Sequence, residues 1–182
     1  MPALLYDLSV ASYLQTVDAV GGFLAKGLDH CQGCGADPAK FVEGRLAEDM
    51  LPLRFQIVSV AHHSLGAIAG MKTGVFAPPG KTAPLDYQGL QKLMADTGEG
   101  LRGLSREEVD ALSGRDMIFQ IGERKVPFTT DNFLLSFSLP NFYFHATTAY
   151  DILRTNGVPL GKRDFLGRLR LDHRVLRLVV VD

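Results

Sequence analysis

Cysteine is scarce in this chain, and so are net charge and long apolar runs. Each shortage closes a class of function. The 182 residues hold two cysteines and carry a net charge of −1. A balance so close to neutral gives no general attraction to nucleic acid or to an anionic membrane. No run of about 18 uncharged apolar residues occurs, so a membrane-spanning helix is not expected. The first residues lack the basic-plus-apolar pattern of a secretory signal, and the cytoplasm is the expected compartment. There is no G-x-S-x-G nucleophile elbow and no phosphate-cradling P-loop. The cysteines stand together in "HCQGCG", His30 to Gly35. A four-ligand zinc site would need a second pair, and thioredoxin-like chemistry would need a preceding strand where this chain reads as helix. Two thiols in a glycine-rich turn is the favoured reading. Redox sensitivity, or opportunistic metal binding with His30, is the alternative.

What the chain does have is helical periodicity. Val10, Leu14, Val17, Gly21, Leu24 and Leu28 recur at three- and four-residue steps and predict a helix over 8–28, stopped by Gly33 and Gly35. Asp37-Pro38 opens a short helix through about Leu46. A second long helix is expected over 49–71, with Pro52 in its first turn and apolar residues nearly all round, as in a bundle core. The proline-rich stretch 73–85 reads as loop. Asp86 caps a third helix over 87–104, and Ser105 to Glu108 forms a capping box for a short one. Met117–Ile121 and Lys125–Phe128 change to strand period about Gly122, a small β-hairpin whose second strand is marked as an edge by Pro127. The last long helix is expected over 132–155, kinked at Pro140 and ended by Asn156-Gly157. Four long helices and one small hairpin before the last of them predict a mainly all-α fold, a four-helix bundle.

In such bundles, sites form where side chains of facing helices converge on the core. The second helix offers His62 and His63, and the last offers Asn141 and His145. Phase at 100° per residue sets His62 on the stripe of Phe55, Val58 and Leu65, so His62 is expected to face inward with His63 as the alternative. His62 and His145 are the candidate metal ligands, and His63, Asn141 and Asp49 are further candidates. Two histidines are a thin set beside the three or four protein ligands of a zinc site. Lys162, Arg163 and Asp164 read either as an anion-binding group or as a solvated helix-end ion pair.

The segment "NFYFHATTAYDILRTNGVPLGKRDFLG" resembles the C-terminal signature of the domain-of-unknown-function family numbered 1993. "LYDLSVASYLQTV" and "LAEDMLPLRFQI" are similar to the same family, so the resemblance covers about Leu4 to Gly167. It implies a DinB/YfiT-like four-helix bundle, a class that often forms homodimers. Many of its members bind a divalent metal (zinc, nickel or iron) through three histidines, in thiol-transferase-like or hydrolase-like enzymes. The carry-over is partial. Relatives with metal place one histidine on helix two and an H-x-x-x-H pair on helix four, whereas this chain has Asn141-x-x-x-His145 or His145-x-x-x-Ala149. Asparagine oxygen is a poor substitute for imidazole.

Residues 1–167 are therefore expected to form the bundle domain. Residues 168–182 are expected to be a C-terminal extension, strand-like or without stable structure. Two functions are open. One is a small-ligand-binding or interaction module with an incomplete metal site, in which Tyr6, Tyr143 and Tyr150 are candidate ligand contacts. The other is a metal-dependent enzyme that holds its ion with His62 and His145. No nucleic-acid or membrane partner is expected.

Overall fold

The computed structural model describes residues 4–80 and 83–171. Helices α1 (Leu5–Leu8) and α2 (Val10–Cys34) run almost continuously about Ser9, whose hydroxyl bonds the Leu5 carbonyl. Gly35, with φ +69°, ends α2 in the left-handed conformation that glycine adopts at little cost. The helix thus runs about two turns beyond Leu28. Cys31 and Cys34 lie in its last turn rather than in a loop, the first buried and the second exposed, both as free thiols. Asp37 caps α3 (Pro38–Val42) by accepting from the Ala39 amide.

The second long helix begins after Pro52, which serves as its N-cap, later than the sequence pattern suggests. It has three parts. These are α4 (Leu53–Ala61), a π-helical turn over His62–Gly66, and α5 (Ala67–Thr73). Strand β1 (Val75–Phe76) follows, inside the stretch expected to be pure loop. Asp86 caps α6 (Tyr87–Arg102) through the Gly89 amide, and Ser105 caps α7 (Arg106–Asp110) through the Glu108 amide.

Strands β2 (Asp116–Ile121) and β3 (Arg124–Thr129) form the expected hairpin. It is part of a three-stranded sheet, since β1 pairs in parallel with β2 at Val75↔Ile118 and Phe76↔Phe119. Pro127 sits on the edge strand β3, where a missing N–H is tolerated. The last long helix is again composite. It comprises α8 (Thr130–Phe133), a second π turn over Leu134–Ser138, and α9 (Leu139–Thr155), with Pro140 in the first turn of α9. Proline supplies no N–H to the preceding turn and crowds its carbonyl, so the wide π turn sits where a kink was expected. A short α10 (Lys162–Leu166) packs on α2, tied by the Lys26–Asp164 ion pair at 2.6 Å.

Helix α2 packs on α6 and α9, and α4 packs on α6 and α9, so the four long helices form a closed ring around one core. Tyr13, Phe23, Leu53, Ile57, Leu90, Leu101, Phe133 and Phe142 are buried in it. No helix of the described residues is long and apolar enough to cross a membrane. Arg168–Leu171 are irregular, and the rest of the C-terminal extension lies outside the described residues.

Candidate functional site

The two π turns face each other. A π turn widens the helix locally and is frequent at functional sites. Ser138, at the end of the second turn, donates its hydroxyl to the His63 carbonyl in the first at 2.7 Å. Tyr13 of α2 in turn donates to Ser138 Oγ at 2.9 Å. This buried chain locks three helices together at the level of the histidines. Burial pushes the Tyr13 phenol far above its ordinary titration range, so it stays a neutral donor.

The sheet supplies the next layer. Phe76 of β1 packs on Phe133 at 5.1 Å between ring centroids, and Phe119 of β2 on Phe137 at 4.6 Å. Phe76 and Phe137 then stand 5.4 and 5.7 Å from the His63 ring. Beta structure thus serves here to build an aromatic wall around one imidazole.

His63 is the inward-facing histidine, 9% exposed, and its ring lies nearly parallel to that of His145 of α9, centroids 5.8 Å apart and planes 20° apart. The expectation for His62 is corrected. Its Nε2 donates to the Ala77 carbonyl at 2.8 Å, and its half-buried ring stacks on Phe76 and meets the His63 ring edge-on at 5.5 Å. The reason is the true core face of this helix. It carries Leu53, Gln56, Ile57, Ser59, Val60 and Ser64, whereas Phe55, Val58 and Leu65 form a half-exposed flank. Polar residues at 56, 59 and 64 concealed that face in the sequence.

Gln56 fixes the chemistry of His145. Its amide nitrogen donates to the Leu51 carbonyl at 2.8 Å, which turns its oxygen toward His145 Nδ1, also at 2.8 Å. Nδ1 must therefore carry the proton, and Nε2 presents a lone pair. Nε2 has no protein partner among the described residues. Phe55 and Phe144 meet the His145 ring edge-on at 5.8 and 5.3 Å. Burial depresses the His145 titration to about 4. Burial, with His62 and His145 nearby, depresses that of His63 to about 3. Both rings are neutral at physiological pH. Nδ1 of His63 is fully buried without a hydrogen-bond partner among the described residues, an uncommon state for a polar atom.

The remaining candidates do not join the pair. Asn141 folds back to donate to the Phe137 carbonyl at 2.7 Å. Asp49 is exposed in the turn before α4. The Tyr6 ring lies under Arg106, Tyr143 lines a small recess with Ser12 and Arg170, and Tyr150 packs between Phe23 and Phe165. The three tyrosines therefore occupy separate places. Gln56, Ser138, Phe76 and Phe137 escaped the sequence reading. Only Gln56 left a signal, as a polar residue at core phase.

A shared metal about 2 Å from each of two imidazole nitrogens would set the ring centroids roughly 5 Å apart, close to the observed spacing. Two imidazoles are fewer ligands than the three or four of a typical zinc site. Among the described residues no group of three or more His, Cys, Asp or Glu side chains is arranged to hold an ion. The pair offers two neutral imidazoles, a free lone pair on His145 Nε2, a second on the unprotonated nitrogen of His63, and an aromatic surround. Replacing Gln56 by Glu tests this geometry. A carboxylate beside Nδ1 favours the imidazolium, so Gln56→Glu is expected to raise the His145 titration well above its depressed value. Ring NMR against pH reads it, and an unmoved titration contradicts the contact.

The family model described as a domain of unknown function (DUF1993) matches residues 5–166. The fold is similar to the crystal structure of a DinB family member from Shewanella denitrificans. The two are 26% identical over 92% of this chain and 94% of that one, with a TM-score of 0.79. No curated protein matches the chain. With its sequence match spanning nearly the whole bundle and its fold shared with a DinB family protein, the chain belongs to the DUF1993 family.

Proposed function

We propose that this protein is a small-ligand-binding module whose binding site is the His63–His145 pair. The observation that carries the reading is the tautomer of His145. An imidazole held neutral by burial, with its Nδ1 proton committed to Gln56, offers Nε2 as a fixed acceptor at the bundle surface. A preorganised acceptor among aromatic edges suits a compact neutral ligand that brings a hydrogen-bond donor and an apolar edge. The site has two imidazoles where metal-dependent relatives of this fold are expected to have three, which favours binding over metal-dependent catalysis.

The test is a fragment screen of small amides, alcohols and thiols, followed by backbone amide NMR. Hits are expected to move the resonances of Gln56, His63, Phe144 and His145. The effect should vanish in His145→Phe, which preserves ring volume and removes the acceptor. Hits that avoid these residues, or that bind His145→Phe equally well, would count against the site.

A further inference from the structure

Beside the His63–His145 pair lies a second feature, which neither of those two rings lines. A groove of about 520 Å³ runs between the composite helix α4–α5 and α6. Val58, Leu65, Leu85 and Leu93 supply its apolar walls, and His62 and Gly66 line it as well. Its size falls in the range of small-molecule pockets.

The polar content of this groove is narrow and defined. His62 donates Nε2–H to the Ala77 carbonyl, so Nδ1 is left as a lone-pair acceptor. Stacking at 4.4 Å on Phe76 fixes the ring plane. A side chain at position 66 would put its Cβ 3.3 Å from His62 Nδ1. Glycine there keeps the lone pair approachable. The other polar side chain among the described lining residues, Thr97, already donates its hydroxyl to the Leu93 carbonyl. Among the described residues that line the groove there is no Lys, Arg, Asp or Glu. A ligand carboxylate or ammonium would therefore be desolvated without a counter-charge, which is costly. A neutral molecule with one good hydroxyl donor and an apolar body meets every wall.

We propose that this groove binds a neutral, largely apolar phenol, with its hydroxyl donating to His62 Nδ1 and its alkyl part lying between Leu65 and Leu93. The groove is lined by neither His63 nor His145, although the His62 and His63 rings meet edge-on at 5.5 Å, and the proposal does not depend on the function proposed for that pair. It also gives a role to the helix stripe that the sequence misassigned to the core, because Val58, His62 and Leu65 are the groove wall.

Titration of the isotope-labelled full chain with 4-propylphenol, and with propylbenzene as its hydroxyl-free counterpart, tests the proposal by amide NMR. The phenol is expected to shift residues of α4, the first π turn and α6 in a saturable way. Propylbenzene should bind about tenfold more weakly, the worth of one hydrogen bond. Gly66→Ala puts a methyl against Nδ1 while raising helix propensity, so the variant should fold at least as well and lose the phenol. His62→Phe keeps an aromatic ring on Phe76 and should bind both compounds equally. His145→Phe should bind the phenol like the parent protein. Equal binding of the two compounds by the parent protein would overturn the proposal. So would full phenol binding by Gly66→Ala, or shifts confined to other surfaces.

Discussion

Gly27→Ala is expected to destabilise the protein by about 3 kcal/mol, a large fraction of a typical domain's stability. A Cβ at position 27 would lie 2.2 Å from the Tyr87 hydroxyl. That hydroxyl is buried and donates to the Leu24 carbonyl at 2.8 Å, joining α6 to α2. The methyl must expel it. Overpacking of this kind costs roughly 1–3 kcal/mol, and losing a buried hydrogen bond adds roughly 1–3 kcal/mol. The second change that should repair the damage is Tyr87→Phe. Without the hydroxyl, the nearest ring carbon would be 3.4 Å from the new Cβ, an ordinary contact. A denaturant double-mutant cycle should therefore show Gly27→Ala far less harmful in the Tyr87→Phe background. Simple additivity of the two changes would mean that α2 and α6 do not meet as described.

Acidification is expected to have the other large effect. His63 and His145 titrate near 6.5 when unfolded, and at about 3 and about 4 when folded. The folded state thus binds fewer protons than the unfolded state between those values, and stability falls as pH falls. Their contribution is complete above the unfolded pKa of 6.5. It is lost progressively as the pH drops from there toward 4, with the His63 share continuing to fall toward 3. Each pH unit across this window costs about 1.4 kcal/mol per fully buried ring. The half-exposed rim of His145 reduces its share, leaving a loss on the order of 5 kcal/mol for the pair by about pH 4. The paired carboxylates of Asp7, Glu108 and Asp164 are held below their ordinary range by Arg106, Lys72 and Lys26 respectively. Their stabilising contribution fades lower, as the pH falls through the depressed values. Urea midpoints between about pH 7.5 and about pH 4.5 read the histidine window separately. Replacing both rings by Phe should make the profile much shallower there, with His62, also depressed by burial, carrying the remainder. An equally steep profile in that variant would assign the acid sensitivity elsewhere.

The helices were legible because their caps and periods agree. Asp37, Asp86 and Ser105 act as the N-caps their spacing implies, and the Gly122 turn joins strands at the expected place. What the sequence hid follows from two physical causes. The 53–73 helix is apolar on most of its surface, so periodicity could not select a core face. The buried Gln56, Ser59 and Ser64 then biased the choice toward the half-exposed flank of Phe55 and Val58. One residue of phase separates His62 from His63, and that difference decides which ring reaches His145. The second cause is the shortness of β1. Two residues leave no period to detect, and the strand exists because Phe76 has an aromatic cluster to join. Family resemblance drew attention to His145 in the last long helix, a member of the candidate pair. The tautomer of His145 came only from the position of the Leu51 carbonyl behind Gln56.

His63 and His145 are proposed to form a neutral ligand-binding pair rather than a resident metal centre. The most direct measurement is metal content by mass spectrometry on the untagged protein, made alongside the His145→Phe variant. Far less than one equivalent of zinc, nickel or iron is expected, with the same trace amount in both proteins. Near-stoichiometric metal that disappears in His145→Phe would contradict it and make this protein a metalloenzyme candidate.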